Sequence, residues 1–395
     1  MSLPKNIPTE YLGMSSLNSF AQHNSSSRAV MYNSHFSQKL VVEGADEKRI
    51  QTGVEREFSK HTFSVQMPED GKIIKIIDRY PRGIGRDSME FNPETIVIYE
   101  KEETKEIDYF SIPYYCSNHQ FFGFKYRHNP TVDSLRPGAY IPKGSVFADS
   151  PGVGENGAYN FGVNMNVAFM SVPSISEDGI MISSDVLEKF KFRIYETRIV
   201  EFGSNAFPLN LFGNKDYYKP FKDIGEYIED NGLLMMTRSY DDDLAPVDTS
   251  IFDTMEPDFL FDKGVYVRGG RGKIVDIKVI GNNSKIKQLP EQITEHVGKY
   301  QRALLKFHQE IIATEEKIRY ERKKKFGTTG LNLSPKFHRL IVESLAITNY
   351  NSAKSKQSLN LLYRENPIDE YRIEFVVEYE MIPGIGYKMT DMGAG

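Results

Sequence analysis

Residues 161–184, FGVNMNVAFMSVPSISEDGIMISS, decide how this chain is read. Residues 167–170 (VAFM) and 180–182 (IMI) are apolar runs of strand length, and Pro173, Ser174 and Gly179 between them break a helix and force a turn. The pattern predicts two buried strands with Glu177 and Asp178 side by side at the turn between them. Adjacent carboxylates in a turn fit two roles. One is a solvated turn, where Glu and Asp are ordinary; the other is a metal or phosphate-chemistry site, because carboxylate oxygens are hard ligands suited to magnesium. Spacing does not separate the two.

Composition narrows the setting. A chain of 395 residues with 39% hydrophobic and 12% aromatic content has enough apolar material for two or three domains with cores of their own. The net charge of −5 gives no global basic excess, so contact with nucleic acid would have to come from local patches. One cysteine, Cys116, excludes an internal disulfide framework and a cysteine-rich zinc site. It lies in an aromatic stretch and is read as core rather than nucleophile. No segment reaches the roughly eighteen uninterrupted apolar residues of a membrane span, and the N-terminus lacks a signal-peptide core. The expectation is a soluble, intracellular protein.

Along the chain, residues 28–38 are predicted as a short helix capped by a preceding serine, with Arg28 in its first turn. Arg28 there is either an ordinary surface arginine or a phosphate contact beside free backbone N–H groups. Residues 72–78 and 95–99 read as strands bounded by turn residues, which makes 70–115 a small β insert. His119 and His128, with Cys116 nearby, are too widely spaced for a convincing metal site and are read as polar packing or nucleic-acid contacts. The glycines of residues 152–157 lack the strand-then-helix setting of a phosphate loop. Residues 185–190 predict a short helix, and 192–200 a half-buried strand. The acidic run 241–243 is read as a solvated loop without metal. Residues 264–280 predict two strands around a glycine-rich turn.

Leu289, Ile293, Val297, Tyr300, Leu304, Phe307, Ile311 and Ile318 form the stripe of a long amphipathic helix. A break at 326–330 and a second stripe through Phe337, Leu340, Ile341 and Leu345 complete a helical hairpin over about 288–349. Its tip is basic (Lys317, Arg319, Arg322, Lys323, Lys324, Lys325) and is expected to be free, either for a partner or as a solvated end balanced by nearby glutamates. Residues 371–380 read as a further strand.

These stretches resemble the β subunit of multisubunit DNA-dependent RNA polymerases. The family pattern G-x-N-x-x-V-A-F-M-P-W-x-G-Y-N-x-E-D-A-I-I-I-S is met by Gly162, Asn164, residues 167–170, Glu177, Asp178, Ile180, Ile182 and Ser183. Ser171-Val172 replaces Pro-Trp, and one residue is missing before Glu177. The pattern N-R-A-L-M-G-x-N-M-Q-R-Q-A followed by V-G-T-G-M-E is met by residues 28–31, Gln38 and residues 50–55. Residues 143–151 resemble K-G-D-x-L-A-D-G-P, and 264–280 resemble the base of the flap. Gly386, Lys388 and Met389 match the start of G-D-K-M-A-G-R-H-G-N-K-G, after which DMGAG departs from the pattern and its second lysine is absent. The motifs fall in family order.

The resemblance implies a β-rich α+β fold: part of a double-psi β-barrel, with strands from about 163–200 and 371–395 and a flap carrying the hairpin inserted between them. The implied segments are 1–69, 70–115, 116–200, 201–350 and 351–395. The implied function is the β side of the active centre for template-directed nucleotidyl transfer. In it Arg28 binds the nucleotide triphosphate, and Glu177 and Asp178 stand beside the second magnesium and the nucleotide phosphates. Asp178 touches a magnesium ion held mainly by a β′-like partner, and Lys388 pairs with phosphates at the RNA 3′ end. Implied partners are other β-like and β′-like subunits, DNA template, RNA transcript, nucleoside triphosphates and a promoter-specificity factor at the hairpin. The division and drift suggest a split polymerase of a large bacteriophage, located in the host cytoplasm or packaged in the virion. The interrupted motif after Lys388 predicts a continuation on a separate polypeptide or a downstream exon. Two rivals are a non-catalytic scaffold or regulator-binding homologue, and an autonomous magnesium-dependent phosphohydrolase using Glu177 and Asp178. Arg28 and Lys388 beside the acidic pair favour the polymerase, and the phosphohydrolase would need further clustered carboxylates.

Overall fold

A computed structural model describes residues 16–37, 42, 44–59, 64–79, 94–119, 122–160, 162–174, 179–203, 206–239, 262–268, 271–281, 290–328, 330–352, 371–385, 387 and 389. Helix α1 (Ser26–Ser37) and the short α2 (Glu55–Ser59) precede strands β1 (Val65–Gln66), β2 (Gly71–Arg79), β3 (Glu94–Lys101), β4 (Ile107–Pro113), β5 (Tyr115–His119), β6 (Phe122–Lys125), β7 (Arg127–His128), β8 (Tyr140–Ile141) and β9 (Val146–Asp149). Then come α3 (Ser184–Leu187), β10 (Phe192–Phe202), β11 (Ala206–Pro208), β12 (Leu233–Ser239), β13 (Asp262–Tyr266), β14 (Lys273–Gly281), the long α4 (Glu291–Phe326), α5 (Pro335–Ser352) and β15 (Tyr371–Met381). The architecture is β-rich α+β.

The predicted strands 72–78 and 95–99 fall within β2 and β3 of a four-stranded antiparallel sheet in the order β4-β3-β2-β8. Residues 96–99 of β3, Ile-Val-Ile-Tyr, are an unbroken apolar run because both faces of the sheet are covered. Ile73, Val97, Tyr99 and Phe110 pack with Met67 and Phe147 on one side. On the other, Ile77, Ile96, Ile98 and Ile107 meet Phe307, Ile311, Ile318, Phe337 and Ile341 of α4 and α5.

A second sheet, β10-β15-β14, joins distant parts of the chain. β15 is central, and β10 runs antiparallel to it in unbroken register from Phe192↔Met381 to Phe202↔Tyr371. The period of two puts Phe192, Ile194, Val200 and Phe202 with Ile373, Phe375, Val377 and Tyr379 on one core face, joined by Ile274, Ile277 and Val279 of β14. Phe375 is fully buried there, and its truncation to Ala would cost about 3–5 kcal/mol. Two charged residues, Glu196 and Arg198, interrupt the apolar alternation of β10 on that face and pair with each other. The Tyr379 hydroxyl (2.7 Å) and the Arg268 N–H (3.2 Å) donate to the same Glu196 carboxylate, which is fully buried. The two strands predicted in 264–280 exist as β13 and β14 but enter different sheets, β13 pairing with β12 and β14 with β15.

The two helices expected over 288–349 form, and the basic residues at the end of the first are largely exposed, but the chain that connects the helices is not free. α4 ends at Gly327, whose φ of 70° is the left-handed conformation that glycine adopts without a Cβ penalty. The connecting chain then docks on the edge of β4. The Ile107 N–H donates to the Asn332 carbonyl (2.8 Å), and the Ser334 N–H donates to the Ile107 carbonyl (2.9 Å). The Ser334 hydroxyl donates to Asp108 (2.6 Å), and Arg322 pairs with Glu100 (3.6 Å). β4 is an edge strand with spare backbone donors and acceptors, and Leu331 and Leu333 add apolar contact, so docking satisfies both. Lys323, Lys324 and Lys325 remain exposed.

The strands expected at 167–170 and 180–182 are not found. Both stretches are described as irregular backbone, and neither pairs with a strand among the described residues. Phe169 is 95% and Met181 98% exposed, with Val167 and Met170 largely open too. Period and length mark a run that wants burial, but they do not supply the surface that buries it. Among the described residues no helix is long and apolar enough to cross a membrane.

Candidate nucleotide-phosphate site

Serine 25 caps α1: its hydroxyl accepts from the Arg28 N–H (3.4 Å), the third residue of the helix. Arg28 is exposed in the first turn, and its guanidinium meets only the Met31 sulfur (3.4 Å) among the described residues. The helix is held from below by Tyr32 and Phe36, which pack with Leu17, Phe58 and Tyr159. Phe36, Phe58 and Tyr159 form three edge-on ring pairs at 5.6–6.4 Å, so the face bearing Arg28 rests on an aromatic base.

The Thr52-Gly-Val-Glu55 segment closes on itself as a capping box. Glu55 accepts from the Thr52 N–H (2.8 Å), the Thr52 hydroxyl (3.1 Å) and the Gly53 N–H (2.8 Å), while the Thr52 hydroxyl receives the Val54 N–H (3.4 Å). Gly53 has a φ of 84°, which a side chain would disfavour. Burial alone would raise the Glu55 pKa; the hydrogen bonds from Thr52, Gly53 and its own N–H outweigh it and hold the carboxyl below its ordinary value. The Thr-x-x-Glu spacing is the sequence signal for this turn.

The start of the Glu177-Asp178 stretch is tied to this body. The Asp46 N–H donates to the Gly162 carbonyl (2.6 Å), the Asn164 N–H to Asp46 (2.9 Å), and the Asn164 amide to the Glu47 carbonyl (2.8 Å). The Tyr159 N–H donates to the Glu55 carbonyl (3.2 Å). The residues matching the family pattern near Arg28, at 50–55 and at 162–164 therefore belong to one packed unit. Glu177, Asp178 and Lys388 lie outside the described residues, as does the acidic run 241–243. The described chain on either side of them leaves the same end of the second sheet: α3 leads into Phe192 of β10, and Met381 of β15, its register partner, leads out to Tyr387, whose ring lies 6.4 Å from that of Phe192.

Two further candidates, Cys116 and His128, pack into the fold. Cys116 is buried. The His128 ring packs at a tilt against Tyr114, with centroids 4.2 Å apart, and contacts the Pro113 carbonyl (3.3 Å), as packing would have it. Asp149, in the 143–151 stretch, accepts from Asn129 (2.7 Å) and Ser64 (3.1 Å) and anchors the β9 turn. Among the described residues no three His, Cys, Asp or Glu side chains gather as a metal site. What the described site offers is an uncommitted guanidinium on a rigid helix, chemistry suited to binding phosphate oxygens in bidentate fashion.

No family model matches the chain. Among curated proteins, it is similar to the DNA-directed RNA polymerase subunit beta of Lawsonia intracellularis (strain PHE/MN1-00), 25% identical over 221 residues, which are 54% of this chain and 15% of that protein. It is similar to the same subunit of Syntrophus aciditrophicus (strain SB), 24% identical over 223 residues, 55% of this chain and 15% of the relative. The matched region is thus about 15% of the length of these relatives. This distant similarity supports, at that coarse level, a β-like RNA polymerase subunit.

Proposed function

We propose that the chain forms the β side of the active centre of a DNA-directed RNA polymerase divided over several polypeptides, of the kind large bacteriophages encode. The observation that carries this reading is the packed unit in which α1, the Glu55 capping box and residues 162–164 meet, in a chain similar to bacterial β subunits over more than half its length. In nucleotidyl transfer the RNA 3′ hydroxyl attacks the α-phosphate and pyrophosphate leaves, with no covalent intermediate on the protein. Catalysis is positioning and charge neutralisation. Arg28 holds the triphosphate through its planar fork, and Lys388 supplies a point charge to phosphates at the RNA 3′ end. Glu177 and Asp178 stand beside the nucleotide phosphates. In this reading magnesium is held mainly by a β′-like partner, with Asp178 at its margin.

The reading assigns β10 and β15 to a double-psi β-barrel and the hairpin to a flap. It also accounts for the exposed Val167, Phe169, Met170, Met181 and Ile385, a surface unsuited to water that the other β-like and β′-like chains cover in the complex. DNA template, RNA transcript and nucleoside triphosphates are the substrates, and a promoter-specificity factor binds at the hairpin. An uncommitted Arg28 favours this over a scaffold, which has no use for it.

The test is single-turnover RNA extension by the assembled complex. Arg28→Ala and Asp178→Ala should slow nucleotide addition while the subunits still co-purify. Wild-type rates in both variants would refute the assignments, and loss of co-purification would return these residues to a structural role.

A further inference from the structure

Beside the Arg28 helix, but not lined by Arg28, lies an open groove of about 560 Å³. That is the size of a small-ligand site. One wall is the turn around Phe20, and the other is the chain at Lys48, Arg49 and Ile50. The walls are fastened together: the Ser19 hydroxyl donates to the Ile50 carbonyl (2.9 Å), and the Lys48 ammonium donates to the Leu17 carbonyl (2.5 Å). The groove is therefore preformed rather than a gap between loose loops.

Its chemistry is of three kinds. Phe20 is 54% exposed, an aromatic face open to solvent. Arg49 is exposed and has no acidic partner among the described residues; of the acids next to it in the chain, Glu47 accepts from Gln51 and Asn156 (both 2.9 Å) and Asp46 from the Asn164 N–H. Three asparagine amides complete the lining, each fixed by one half and uncommitted at the other. Asn18 accepts from the Phe20 N–H through its oxygen, whereas Asn24 and Asn164 donate through their nitrogens to the carbonyls of Phe20 and Glu47. One amide donor and two amide acceptors remain for a guest.

We infer that this groove binds a nucleoside phosphate, with the base stacked on Phe20, its polar edge on the asparagine amides and its phosphate on Arg49. A flat aromatic guest with donors and acceptors on its rim and a negative charge at one end uses every group present. An apolar guest would leave the amides and Arg49 unused, and a simple anion would leave Phe20 unused. Aromatic stacking with a cation on the backbone is how proteins hold single-stranded nucleic acid without reading sequence. The inference stands on the groove's own residues and does not depend on the polymerase reading.

The test uses the full chain with two probes, a fluorescein-labelled five-nucleotide oligouridylate followed by anisotropy and radiolabelled ATP followed by equilibrium dialysis. Phe20→Ala removes an exposed ring and Arg49→Ala an exposed charge, so thermal melting should match wild type. Each should weaken binding by about tenfold or more. Arg49→Ala should also make the salt dependence of RNA binding shallower by about 0.7 in log–log slope. A variant with Lys323, Lys324 and Lys325 all changed to Ala should bind as wild type. Loss confined to the RNA probe assigns the groove to a strand, and equal loss with ATP assigns it to mononucleotides. The proposal is overturned if wild type binds neither probe below about 1 mM, or if both groove variants bind as wild type does.

Discussion

Glu55 and His308 are titratable residues whose environments push them in the same direction for different reasons, and each leaves its own mark on stability. Glu55 binds fewer protons folded than unfolded, because hydrogen bonds from Thr52, its own N–H and Gly53 favour its carboxylate over the cost of burial. Its contribution is complete above the ordinary value of 4.5 and is lost as pH falls below it. Glu55→Gln should therefore cost about 1 kcal/mol at pH 7, and the difference from wild type should shrink on acidification, as urea unfolding at pH 7 and pH 3.5 would show. His308 is buried among α4, α5 and β2, and burial, helped by Arg79, lowers its pKa from 6.5 to about 4. Its Nδ1 bonds the Ser344 hydroxyl at 2.8 Å, and since that hydroxyl donates to the Leu340 carbonyl, the ring nitrogen is the donor; burial keeps the ring neutral at pH 7. The unfolded state takes up a proton first, so stability is complete above pH 6.5 and falls as pH drops toward 4, by a total on the order of 3 kcal/mol. His308→Leu should flatten the unfolding midpoint between pH 7 and pH 4.5; an undiminished slope would assign that dependence to another group. The serine cap before Arg28 was legible because caps are local. The His308–Ser344 pair was not, because its partners are 36 residues apart and meet only when the helices pack.

At the scale of elements, the sequence marked where helices and strands lie far better than what they touch. The stripe from Ile293 to Ile318 and the runs at 72–78, 95–99, 192–200 and 371–380 carry their periodicity in themselves, and each became the element expected. The hairpin tip shows the limit. Its lysines marked an exposed end, and they are exposed, but nothing in the composition showed that Asn332 and Ser334 beyond them use backbone and hydroxyl groups to dock on β4. Ser334 serves two elements, capping α5 by accepting the Phe337 N–H (3.0 Å) and bonding Asp108 of β4 (2.6 Å). Ser334→Ala should cost about 1–2 kcal/mol in chemical denaturation and speed exchange of the Ile107 amide, which donates into the tip. Unchanged exchange at Ile107 would mean that the tip docks through its leucines alone.

For the whole molecule, the contrast between β15 and residues 163–170 sets an order of protection. β15 is hydrogen-bonded on both edges, to β10 and β14, and its inward side chains are buried. Opening it must break two ladders and expose the core that β10, β14 and β15 share. Residues 163–170 have no ladder and present Val167, Phe169 and Met170 to water. Both stretches have the same strand-like character in the sequence, because apolar spacing reports a demand for burial and not the surface that meets it. Hydrogen exchange on the isolated chain should accordingly find the amides of β15 among the slowest and those of residues 165–170 among the fastest. In an assembled polymerase complex the β15 amides should change little, while those of 165–170 slow by an order of magnitude or more as a partner covers the apolar surface. Fast exchange at 165–170 in a complex that incorporates nucleotides on a template would remove this surface from the subunit interface. Slow exchange already in the isolated chain would show that the burial comes from the chain itself.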